Sequence, residues 1–245
     1  MKPNPQRHGF TLVELLIVIG IVIVLAALSL SAFSKMRNSA DKVITTRNLS
    51  QLQLANSAYA ADHNGQFVPV RAFNDNGSSY IGWLQHQDFM DNLKGYSAEL
   101  LANGNVDSNV PVGMLDAQVV RAKKTNYLGL AASYGYNCEG QPNTGGWGSP
   151  NSTSFFRIFQ LTSPARSAAF FTATDWQAKY SGRFLWKGTA AVEGGTGDGK
   201  IAYRYNKKAI VAYYDGHVGE VSMDDMKRFD QQGGIANIFW NADAN

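Results

Sequence analysis

The sequence predicts an α+β fold: one long helix at the N-terminus, packed on a C-terminal domain built around an antiparallel β-sheet. Three observations predict it. Residues 10–33 form a run of about two dozen, apolar except for Thr11, Glu14, Ser29 and Ser31 with Gly20 inside it, and about 20 apolar residues let a helix cross a bilayer. Residues 34–62 follow without a single Pro or Gly. From residue 155 onwards, short runs rich in β-branched and aromatic residues alternate with turn dipeptides, which is the pattern of strands.

The chain opens with a polar leader, MKPNPQRHG, carrying Lys2 and Arg7 and ending in Gly9. In the apolar run that follows, Glu14 is out of place, because an ionised carboxylate in hydrocarbon costs at least about 2.5 kcal/mol and marks a functional position. The run is longer than the h-region of a secretory signal, and no A-x-A-like cleavage site stands behind it. In residues 34–62, Met36, Ala40, Val43, Ile44, Leu52, Ala55 and Tyr59 fall on one half of a helical wheel, and Lys35, Lys42, Thr46, Gln53 and Ser57 on the other. The first set is the expected buried face. A continuous helix over residues 10–62 would be about 80 Å long, its first half membrane-spanning and its second half amphipathic. Asn64-Gly65 supplies the stop, with Pro69 beyond it.

Residues 69–82 read as an Asn/Gly/Ser-rich loop, 88–93 and 97–102 as short helices, and 103–113 as a loop. Residues 126–137 read as an aromatic-rich extended segment, and a long irregular loop containing Trp147 starts at Cys138. Strands are expected at 155–161, 168–174 and 183–186. The clearest unit is a hairpin, residues 209–214 and 217–221 flanking Asp215-Gly216, a dipeptide suited to a two-residue type I′ turn. Ser222, with Asp225 three residues on, caps a helix over 223–230, and Gly233-Gly234 ends it.

Charged residues are 17% of the chain and the net charge is +3, with the cations scattered, so nucleic acid is not indicated as a partner. The single cysteine, Cys138, excludes an intrachain disulfide and reads as a packed or loop residue. The histidines lie in no H-x-x-x-H, C-x-x-C or G-x-S-x-G setting, and the expectation is that the protein is not an enzyme. The run from Glu193 to Gly199 carries Glu193 and Asp198 among glycines. With Asp215 these are the candidate oxygen ligands for calcium, against the plainer reading of a solvated loop; no other cofactor is expected.

The order of basic leader, small residue, Phe, Thr-Leu-Val-Glu and apolar helix resembles the N-terminal signal of type IV pilin-like proteins, the pilins and the type II secretion pseudopilins. It is carried by Gly9-Phe10-Thr11-Leu12-Val13-Glu14-Leu15-Leu16. The resemblance implies a pilin-like fold, cleavage between Gly9 and Phe10 by a prepilin peptidase and methyltransferase, and N-methylation of Phe10. It implies that Lys2 and Arg7 hold the leader at the cytoplasmic face, and that Glu14 sets the register between subunits. The implied organisation is a leader over 1–9, a transmembrane and assembly helix over 10–33, its amphipathic continuation over 34–65, and an extracytoplasmic domain over 66–245 of a cytoplasmic-membrane protein. Near the C-terminus, Asp215-Gly216-His217-Val218 is similar to a pseudopilin-like signature in which nine residues separate a His from Asp-Gly; here Tyr205 occupies the place of the His. The expected function is a structural subunit that assembles with like subunits and other pseudopilins into a type II secretion-like pseudopilus. The alternatives are a type IV pilus subunit for adhesion, motility or DNA uptake, and a membrane-anchored binding or hydrolytic domain using a pilin-type signal.

Overall fold

A computed structural model describes residues 11–73, 80–93, 112–122, 129–141, 143–144, 153–188 and 198–243. Helix α1 runs over Leu12–Asp62. It ends where expected: Asn64 and Gly65 take positive φ (54° and 76°), and the Gly65 N–H returns to the Ala60 carbonyl (2.8 Å), the bond that closes a helix C-terminus. The chain divides into two units, one up to Ala40 and one from Asp41 onwards.

Among the described residues of the first unit, the helix has no covered side. In the second, the buried residues of α1 include Leu49, Leu52, Ala55, Tyr59 and Ala60, together with Asp41, Thr45, Asn48, Gln53 and Asn56. This corrects the expected face. Met36, Ala40, Val43 and Ile44 are exposed, whereas Gln53 is fully buried. The reason is that half of the buried stripe is polar and hydrogen-bonded to the domain. Asn48 Nδ2 donates to the Gly113 and Leu115 carbonyls (2.8 and 3.2 Å), and Gln53 Nε2 to the Tyr214 carbonyl (3.0 Å). Asn56 Oδ1 accepts from the Val68 N–H (2.9 Å) while its Nδ2 donates to the Tyr136 hydroxyl (3.2 Å). Apolar periodicity is blind to a face held in this way.

The strands are β1 (Arg71–Phe73), β2 (Tyr80–Gly82), β3 (Tyr134–Asn137), β4 (Asn143–Thr144), β5 (Thr153–Ser154), β6 (Ala168–Thr172), β7 (Gln177–Ala178), β8 (Lys208–Tyr213) and β9 (Val218–Ser222). The short helices are α2 (Gln87–Asp91), α3 (Ala117–Ala122), α4 (Leu130–Ser133) and α5 (Met223–Gln231). A five-stranded sheet has the order β7-β3-β6-β8-β9; its pairs are antiparallel except β3 with β7 at one edge. A smaller sheet has the order β2-β1-β5-β4.

The central strands β6 and β8 are buried on both faces, which is why AAFFT and AIVAY are apolar without alternation. Phe170, Ile210 and Ala212 join Leu49, Leu52, Tyr59, Trp83 and Tyr136 in one core, where the Tyr136 and Phe170 rings stack at 4.4 Å. Phe171, Ala209 and Val211 belong to a second core with Met226, Phe239 and Trp240, so α5 and the C-terminal tail cover the opposite face.

Several expected elements differ. Residues 71–73 and 80–82, inside the expected loop, pair as an antiparallel hairpin. The expected strand 155–161 contains a 3-10 turn, Ile158–Gln160, because the Gln160 side chain accepts from the Arg157 N–H (2.7 Å). The expected strand 183–186 is irregular: Arg183 pairs with Asp230 (2.9 Å) and lies 3.5 Å from the centre of the Tyr180 ring. Within 126–137, residues 126–128 lie outside the described ones, and of the rest 134–137 are extended, preceded by α4. The expected helix 97–102 and Trp147 lie outside the described residues.

Candidate assembly site

Thr11 and Glu14 form a reciprocal cap at the start of α1. The Thr11 N–H and hydroxyl both donate to Glu14 Oε2 (2.9 and 2.7 Å), and the Glu14 N–H donates to Thr11 Oγ1 (3.3 Å). This is the T-x-x-E capping box. It fixes the carboxylate beside the helix N-terminus, where the unpaired N–H groups carry partial positive charge. Among the described residues, Glu14 Oε1 has no partner, so one oxygen remains to accept from a donor on another molecule.

Behind the cap the helix is bare. Its large apolar side chains from Leu12 to Leu30 are all at least 47% exposed, the lowest value being that of Val18. Residues this apolar are otherwise mostly interior, and a patch this large marks a surface made for lipid or partners. By length and composition the helix suffices to cross a membrane. Two hydroxyls within and just beyond the stretch are satisfied inside the helix, Ser29 donating to the Leu25 carbonyl (2.8 Å) and Ser34 to the Leu30 carbonyl (3.1 Å), as hydroxyls in hydrocarbon must be.

Lys2, Arg7, Gly9 and Phe10 lie outside the described residues, as does Glu193. Asp198 is exposed and paired with Lys200 (3.5 Å). Asp215 accepts from the His217 ring Nδ1 (2.6 Å) and the His217 N–H (3.1 Å). Among the described residues no group of three or more His, Cys, Asp or Glu is gathered to hold a metal. Asp215 and Gly216 do lie in a hairpin loop, but not a two-residue one. The Tyr213 N–H bonds to the His217 carbonyl and the Gly216 N–H to the Tyr213 carbonyl, giving a three-residue loop, Tyr214 to Gly216. Gly216 takes φ +95° and Asp215 does not take positive φ, whereas a type I′ turn needs it at both central residues. Ser222 caps α5 as expected, accepting from the Asp225 N–H (3.1 Å). The Cys138 thiol is pushed up to about 12, by burial first and then by the Glu139 charge, which makes it an inert packed group.

The sequence reading did not anticipate a buried ionic knot that anchors α1. Arg204 and Asp116 are fully enclosed and paired at 3.4 Å, and Arg204 also donates to the Ala132, Ser133 and Ala173 carbonyls. The Tyr205 hydroxyl donates to Asp116 Oδ1 (3.0 Å), and since it can donate only once, Thr45 donates to it (2.6 Å). Tyr205 is held well above the ordinary phenol range by burial and then by the Asp116 charge. No local pattern announces this knot, because its members lie up to 160 residues apart.

Residues 4–30 match the family model described as the prokaryotic N-terminal methylation motif. No curated protein and no solved structure matches the chain. The motif and the bare apolar helix behind it support a type IV pilin-like, membrane-anchored subunit, processed by a prepilin peptidase, assembling with like subunits, and structural rather than catalytic in role.

Proposed function

We propose that this chain is a prepilin-like subunit of the cytoplasmic membrane that is cut between Gly9 and Phe10, N-methylated at Phe10, and assembled through α1 into a type II secretion-like pseudopilus. The carrying observation is the methylation motif over residues 4–30 leading into a helix with no covered side. In this reading the leader, with Lys2 and Arg7, stays in the cytoplasm and the domain from Asp41 onwards lies outside it. Glu14 pairs with the new Phe10 amine of the neighbouring subunit. Each group alone is costly in an apolar filament core, and removing one partner of such a buried pair costs roughly 3–5 kcal/mol. The capping box supports this role, since it holds the carboxylate in one place with an oxygen open. The single, packed Cys138 favours a pseudopilus over a pilus subunit whose C-terminal loop is closed by a disulfide.

The test is the mass of the N-terminal peptide of membrane-extracted protein from cells with and without the prepilin peptidase. A peptide that begins at methylated Phe10 only when the peptidase is present is expected. An intact Met1 leader in peptidase-competent cells would contradict the processing, and with it the filament reading.

A further inference from the structure

A partly open cavity of about 210 Å³ lies at the end of the five-stranded sheet next to the Asp215-Gly216 loop, and assembly through α1 makes no use of it. Its lining includes Tyr213 and His217 from the hairpin, Phe229 from α5, Phe239 from the C-terminal tail, and Arg166 from the turn before β6. The space is smaller than the roughly 300–1,000 Å³ of drug-sized sites and suits a single ring with a short polar arm.

The walls are mixed: Tyr213, Phe229 and Phe239 supply the aromatic surface, and Arg166, His217, Gln232 and Asn237 the polar one. Tyr213 and His217 stack at 4.1 Å, Phe229 and Phe239 stack at 4.4 Å, and Tyr213 meets Phe239 edge-on at 6.1 Å. The charges around them are unequal. Asp215 and Asp225 both act on Tyr213, but Asp215 is engaged by His217, and Asp225 by the Ser222 N–H and hydroxyl and by Arg228. Arg166 is exposed and has no side-chain partner among the described residues. Among the described lining residues Arg166 is thus a cation open to a new partner, and an anionic guest is the one that would pair it. A carboxylate also matches the guanidinium fork. With His217 Nδ1 bonded to a carboxylate, that nitrogen carries a proton and the ring is held in place, leaving Nε2 as its remaining polar atom.

We propose that this cavity binds a small organic anion bearing an aromatic ring, the ring against Tyr213, Phe229 and Phe239 and the carboxylate on Arg166. The same chemistry is offered by a free aryl acid and by the C-terminal aromatic residue of a peptide.

The test titrates the full-length protein in detergent micelles with 3-phenylpropionate, with 3-phenylpropionamide, and with acetyl-Gly-Gly-Phe carrying a free C-terminus, following the amide resonances of His217 and Phe239. For a ligand of this size a Kd in the millimolar range, on the order of 1–10 mM, is expected for the acid. The amide should bind about tenfold more weakly, as loss of a charge-assisted contact requires. Arg166→Gln should bring the acid down to the level of the amide and leave the amide unchanged, a pattern that a general disturbance of the fold would not produce. The tighter of acid and peptide identifies the source. Absence of saturable shifts for both carboxylates, equal binding of acid and amide, or an equal loss of both in Arg166→Gln would overturn the proposal.

Discussion

The two halves of α1 invert the usual relation between polarity and burial. From Leu12 to Leu30 the helix is almost wholly apolar and wholly exposed; from Asp41 to Ala60 it is mixed, and its buried stripe is half polar. The first half keeps its apolar area for lipid or for other subunits. The second half is held by directed bonds, from Thr45, Asn48, Gln53 and Asn56 to hydroxyl, carbonyl and N–H groups of the domain. Hydrophobic attraction is non-directional, and a helix with apolar surface all round would not be told by it which side to bury. Specific hydrogen bonds tell it. Val43, Ile44 and Leu54, apolar yet exposed on the second half, carry the outward-facing surface into the domain.

Predictions that break the anchored half come first, because their effects are largest. Asp116→Ala strands the fully buried Arg204 guanidinium and should cost about 3–5 kcal/mol, read as the unfolding free energy in urea. Leu52→Ala empties a site in the main core and should cost about 2–5 kcal/mol in the same measurement.

The third prediction concerns pH. Burial, the main cause, pulls the His86 pKa down to about 4; the Asp88 charge partly opposes this and the His63 charge adds to it. Its buried Nε2 has no hydrogen-bond partner among the described residues. Below the ordinary value of 6.5 the unfolded chain takes a proton that the native one refuses, so stability falls with pH between about 6.5 and 4 and levels off below. The loss is at most about 3 kcal/mol, and His86→Asn should flatten the slope in that window.

Asn48→Ala should cost about 1–3 kcal/mol by leaving the Gly113 and Leu115 carbonyls without their donor. Leu54→Ala, on the exposed stripe of the same helix, should change stability by less than about 0.5 kcal/mol. A large loss at Leu54 would mean that the exposed stripe is packed within the subunit, and the contrast between the halves would fail.

Legibility in the sequence follows the same division. The first half of α1 is readable because length and apolarity alone define it, and the Thr11 cap was present as T-x-x-E next to the Glu14 already singled out. Strands β6 and β8 and the Ser222 cap are readable for similar reasons: continuous apolar runs and a local side-chain-to-backbone bond are short-range signals. The buried face of the second half was not, since Gln53 and Asn56 look like solvent-facing residues until Tyr214, Tyr136 and Val68 are placed against them. The Arg204–Asp116 knot depends on tertiary contacts that no window of sequence contains, and the strands β1 and β2, three residues each, are too short to show an alternation. The turn dipeptide Asp215-Gly216 marks the hairpin in the sequence, but the loop has three residues rather than two, because of the pair only Gly216 adopts the left-handed conformation.

The most direct test of the central claim, that the uncovered half is reserved for assembly, compares Glu14→Ala with the wild-type protein for the fraction recovered in sheared filaments from peptidase-competent cells. The account predicts that this fraction is lost while the variant remains in the membrane and its extracted form unfolds at the same urea concentration. Filaments at wild-type level would contradict it.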